Sequence, residues 1–105
     1  MDLGNVIKLI RTQKGMNQID FSDLLGISQN YLSLIESNQK KPSDDKISIF
    51  AKSLGISKDA LLFASSKIPQ ELSDEDKAAY RKLQNNITTL LLFGIDGELN
   101  QVEEK

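Results

Sequence analysis

The sequence predicts an all-α fold: five short helices closing into an N-terminal domain, followed by a linker and one longer amphipathic helix. Apolar residues recur at helical i, i+3, i+4 spacing in successive segments, and no stretch alternates in the manner of a half-buried strand. Asn or Ser stands before most of these segments and Gly or Asn after them, the punctuation of helix starts and stops. At 105 residues with 39% apolar content the chain can bury one modest core and carry an appendage, but cannot build two full domains.

Leu3, Val6, Ile7 and Ile10 mark the inner face of a first helix, which Gly15 ends. Asn17 caps a second helix, with Asp20 near its positive end and Phe21 and Leu25 facing inward, and Gly26 stops it. Ser28 caps a third, with Leu32 and Ile35 in the core and Asn38 as a left-handed terminator. Pro42-Ser43 closes a polar loop and opens a fourth helix containing Ile47, Phe50, Ala51 and Leu54 before Gly55. A fifth runs from a Ser57 cap through Leu61 and Leu62. The domain therefore spans residues 1–65, a linker 66–73, a C-terminal helix 74–93 starting at a Ser73 cap, and an acidic, frayed tail 94–105 after the break at Gly94.

Composition excludes several function classes. The chain has no Cys and no His, which removes disulfides, thiol chemistry, imidazole bases and the usual zinc ligand sets, so no cofactor or metal is expected. Its carboxylate clusters, Asp44-Asp45 and Asp74-Glu75-Asp76, fall at helix starts, where the helix dipole favours them, and no catalytic residue is expected. The apolar run Leu90 to Phe93 is far short of a membrane span and the N-terminus has no signal-peptide pattern, so a soluble cytoplasmic protein is expected. The net charge of -2 conceals an asymmetry: residues 1–68 hold nine Lys and Arg against seven Asp and Glu, while residues 69–105 hold four against eight. The mildly basic first part permits contact with nucleic acid without demanding it.

Between Gln18 and Asn38 lie a helix, a glycine-containing turn and a second helix, the arrangement that holds a recognition helix against the major groove. Ile10-Arg11, Gly15-Met16-Asn17-Gln18, Leu25-Gly26-Ile27-Ser28, Ile35-Glu36, Pro42-Ser43 and Leu54-Gly55-Ile56-Ser57 follow one another in order. In these residues the chain resembles the Cro-like phage-repressor (XRE-type) helix-turn-helix family over roughly Leu3 to Ser65. The resemblance implies a five-helix lambda-repressor-like DNA-binding domain. It places Gln18 on a phosphate at the second helix N-terminus and Gln29, Asn30, Ser33 and Leu34 at base edges. Ser28 becomes a cap and phosphate donor, and Arg11 and Glu36 an internal ion pair. The chemistry suits these assignments, since an amide side chain can donate to and accept from adenine together. Solvated amides on an exposed helix are the plain alternative.

Tyr31 can pack its ring while its hydroxyl reaches a phosphate, with packing favoured, and Asn38, Lys40 and Lys41 complete the candidate DNA-binding set. Leu34, Ile19 and Leu24 depart from the family pattern by being apolar where polar or charged residues are usual. The recognition helix itself, from Ser28 to Gln39, carries no basic residue.

Tyr80, Leu83, Ile87, Leu90 and Leu91 form an apolar stripe on the C-terminal helix that must bury against something. It can fold back on the first domain or pair with a second copy; the reading favoured from sequence is a dimer through Leu83, Ile87, Leu90 and Leu91. Asn85 and Asn86 either set the register of that pairing or are simply exposed. The function expected is a homodimeric, sequence-specific transcription regulator, a repressor on double-stranded DNA at an inverted repeat. The alternative is a protein-interaction module, antitoxin-like, using the same fold through Ile19, Leu24 and Leu34.

Overall fold

The computed structural model describes residues 1–93, so the acidic tail expected over 94–105 lies outside the described residues. The described residues form six helices: α1 (Leu3–Gln13), α2 (Gln18–Leu25), α3 (Gln29–Glu36), α4 (Asp44–Leu54), α5 (Lys58–Ala64) and α6 (Asp74–Phe93). Among the described residues there is no strand, as the periodicity requires, and no helix is long and apolar enough to cross a membrane.

The predicted caps are made. Asn17 Oδ1 accepts the Asp20 amide at 2.8 Å, and the hydroxyls of Ser28, Ser43, Ser57 and Ser73 accept those of Tyr31, Lys46, Ala60 and Asp76 at 3.0 to 3.2 Å. Each satisfies one of the amides that a helix start leaves without an intrahelical partner. Gly26 closes α2 in the left-handed region at φ 74°, which lets the Ser28 cap of α3 follow only two residues later. Asn38, at φ 62°, makes the same turn after α3 without a glycine.

Val6, Ile7 and Ile10 of α1, Phe21 and Leu25 of α2, Leu32 and Ile35 of α3, Ile47 and Phe50 of α4 and Leu61 and Ala64 of α5 form one buried core. Burial of each large side chain contributes about 1.5–3 kcal/mol, which offsets the ordering of the short helices that carry them. The start of α1 approaches the end of α3 so closely that a Cβ at Gly4 would collide with the Ile35 carbonyl oxygen. Asn38 fastens this crossing, its Oδ1 accepting the Gly4 amide at 3.1 Å and its Nδ2 donating to Asn5 Oδ1 at 3.0 Å.

The C-terminal helix folds back in this chain. Leu91 is buried in the core, and Ile87 packs against it. The Tyr80 ring lies 5.0 Å from that of Phe63. Gln84 is 7% exposed, and its Nε2 donates to the carbonyls of Phe63 at 3.1 Å and Ser66 at 2.7 Å. Ser66 Oγ in turn lies 2.7 Å from the Tyr80 hydroxyl. This corrects the expectation that all four stripe residues face a second copy: Ile87 and Leu91 serve the chain's own core, while Leu83 and Leu90 stay exposed at 51% and 38%. The physical reason is the turn after α5, where the Ser66 carbonyl needs a donor. A polar residue at position 84 supplies it and reaches the Phe63 carbonyl as well, which an apolar stripe does not display. Ile68, Pro69 and Leu72 in the connection are half-buried, so the linker is packed along the domain.

Candidate nucleic-acid interface

Glu36 fixes the angle at which α3 is held. The Arg11 Nε donates to Glu36 Oε2 at 2.7 Å and Nη2 to Oε1 at 3.0 Å, a two-pronged pair joining α1 to the end of α3. Arg11 Nη1 also donates to the Met16 carbonyl at 3.0 Å, which pins the turn leading into α2. Gln18 Nε2 completes the cluster by donating to Glu36 Oε1 at 3.1 Å. The pair is nearly desolvated, with side-chain exposures of 13% for Arg11 and 4% for Glu36.

The outer face of α3 is open. Ser28, Gln29, Asn30 and Ser33 are all exposed, and residues 29, 30 and 33 share one side of the first helical turns by their i+3 and i+4 spacing. Ser28 Oγ accepts the Tyr31 amide, so its hydroxyl hydrogen remains able to donate to a phosphate oxygen. Gln18 sits at the first position of α2 with one amide hydrogen committed to Glu36, and its second can still point at a phosphate. The shared use of Gln18 as a brace was not visible in the sequence, because the contact spans two helices.

Tyr31 is half-buried against the core, and Lys46 Nζ lies 5.5 Å from the centre of its ring. Packing is therefore its observed role, as favoured from sequence. Lys46 is a cation beside α3 that the sequence pattern does not reveal; it lies in the first turn of α4, and no spacing within the helix-turn-helix signals it. Leu34 is half-buried, and its carbonyl accepts the amides of Gln39 and Lys40 at 2.9 and 3.1 Å. Lys40 and Lys41 are exposed in the loop after α3. Asn38 commits its amide oxygen and one amide hydrogen to α1, so it serves the scaffold, while the residue itself is exposed and its second amide hydrogen is not engaged there. Ile19 and Leu24 of α2 are 55% and 41% exposed.

A short helix carried with its polar face outward, on a glycine-turned partner and braced by a buried ion pair, defines a DNA-binding helix-turn-helix regulator. The sequence model of the Helix-turn-helix family matches residues 7–61, more than half the chain, and the protein belongs to that family, of the Cro-like (XRE) type. No curated protein and no solved structure matches the chain.

Proposed function

We propose that this protein is a sequence-specific transcription regulator that acts as a homodimeric repressor, placing the first turns of α3 in successive major grooves about 34 Å apart. The observation that carries the reading is the exposed group Gln29, Asn30 and Ser33 on a helix whose other side is anchored by Arg11, Glu36 and Gln18. An amide side chain reading adenine discriminates by about 1–3 kcal/mol per good pair. Leu34, at the edge of this face, can meet a thymine methyl. Ser28, Gln18 and the lysines after α3 supply contacts to phosphate that fix register without reading sequence. Dimerisation through α6 doubles a contact set too small to hold one site alone, with Leu83 and Leu90 as the outward-facing apolar residues. Occupancy of a promoter is then the means of repression.

Selection of bound fragments from randomised duplex DNA tests the reading. The expected result is an enriched inverted repeat, with preference at the central positions of each half-site lost in the variant Gln29→Ala/Asn30→Ala. Retention of that preference by the variant defeats the assignment. A second reading rests on the exposure of Ile19 and Leu24: the same fold engaging a protein partner through α2 and Leu34. It predicts no enriched DNA and a stoichiometric protein complex insensitive to salt, whereas phosphate-dominated binding falls steeply with ionic strength.

A further inference from the structure

Two adjoining depressions open beside the C-terminal end of α3. One, of about 480 Å³, lies between the α3–α4 loop, the start of α1 and the end of α5, and Lys40, Lys41 and Lys67 line it. The other, of about 500 Å³, continues along the connection to α6, where Lys67, Gln70, Arg81 and Asn85 line it. Asp2, Ser65, Ser66 and Lys67 belong to both, so the two form one trough.

The charge of this trough runs against that of the chain. Lys40, Lys41, Lys67 and Arg81 face a single lining carboxylate, Asp2, in a protein of net charge -2. All four cations are exposed, and among the described residues the ion pairs are Arg11 with Glu36 and Lys58 with Asp44, so none of the four is neutralised. A concave row of one sign focuses potential and concentrates counter-ions. The exposed side-chain amides of Gln70 and Asn85 along the same walls add donors suited to phosphate oxygens, whereas the hydroxyls of Ser65 and Ser66 donate to carbonyls of α5.

We propose that this trough is a phosphate-backbone track, along which a DNA strand leaving the groove met by α3 runs from Lys40 and Lys41 to Lys67 and Arg81. The inference rests on the DNA-binding reading above and extends it beyond the matched segment, since Lys67 and Arg81 lie in the linker and α6. It also accounts for how a recognition helix without a basic residue gains affinity. An open trough with separated cations suits an extended polyanion better than a small anion, which could touch only one or two of them. On α6, Arg81 and Leu83 are about 200° apart around the helix at 100° per residue, so the track and the exposed leucines occupy different flanks.

The test is the salt dependence of binding by the full chain to a duplex carrying the site that the wild type enriches. Removing one cation that neutralises a phosphate reduces the slope of log K against log salt by about 0.9, so Lys67→Gln/Arg81→Gln lowers it by about 1.8 per protomer, or about 3.6 for a dimer on the inverted repeat. Sequence preference is retained. Lys14→Gln/Lys52→Gln removes the same charge from exposed positions outside the trough and leaves the slope unchanged. An unchanged slope in the Lys67/Arg81 variant, alongside lost preference in Gln29→Ala/Asn30→Ala, overturns the track and leaves the DNA-binding reading standing. Failure of the wild type to retain any duplex at low salt overturns both.

Discussion

Glu36 holds three elements with two oxygens, and its removal is the most informative single change at the residue scale. Glu36→Ala strands the Arg11 guanidinium, which is only 13% exposed. Breaking a buried pair from one side costs about 3–5 kcal/mol, because the surviving charge loses its partner without regaining water. Urea unfolding should show a loss in this range; a loss below about 1 kcal/mol would place the pair among exposed ones. Gln18→Ala removes one hydrogen bond to the same carboxylate and is expected to cost about 1 kcal/mol. The ion pair was legible in the sequence through family resemblance. The Gln18 brace was not, since a polar residue at a helix start has the same pattern whether it waits for phosphate or holds a carboxylate. Asn38 shows the converse: its left-handed backbone was legible from residue type, while the grip of its amide on Gly4 and Asn5 depends on a helix thirty-odd positions away.

At the scale of elements, capping and periodicity located the six helices of the described residues, because those signals are local and Asn, Ser and Gly act within a turn of their own position. What the pattern left open was where α6 lies, a question of tertiary partners. Its apolar stripe is broad enough to serve two surfaces, and the helix is oriented by Gln84, a residue that hydropathy reads as surface. Two substitutions separate its inner from its outer face. Leu91→Ala opens a cavity in the core and is expected to lower stability by about 2–5 kcal/mol. Gln84→Leu leaves the carbonyl of Ser66 without its donor, while that of Phe63 keeps the Ser66 amide and hydroxyl, and is expected to cost about 1–3 kcal/mol. Both losses should be independent of protein concentration in thermal unfolding. A loss appearing only at concentrations that favour association would instead assign these residues to an interface.

For the whole molecule, the consequence of folding α6 back is that one helix can be anchored on one side and adhesive on another. Leu83 and Leu90 are equally spaced about the midpoint between Asn86 and Ile87. An antiparallel two-fold pairing therefore sets Leu83 of each chain against Leu90 of the other, an isologous contact that closes after two copies. Hydropathy alone could not make this distinction, because the buried leucine and the exposed ones belong to the same stripe. Under the proposed function, charge at the two outward positions should uncouple assembly from folding. Leu83→Lys/Leu90→Lys is expected to retain wild-type helicity and, at concentrations low enough for the wild type to be monomeric, its unfolding free energy within about 0.5 kcal/mol, the range of surface substitutions. In sedimentation it should run as a monomer at concentrations where the wild type is a dimer. Its affinity for an isolated half-site should be preserved, and its affinity for the inverted repeat should fall to that of the half-site, since avidity vanishes without a second tethered contact. A double variant that still sediments as a dimer and binds the repeat undiminished would move the dimer interface off α6, and the exposed leucines would then need another partner.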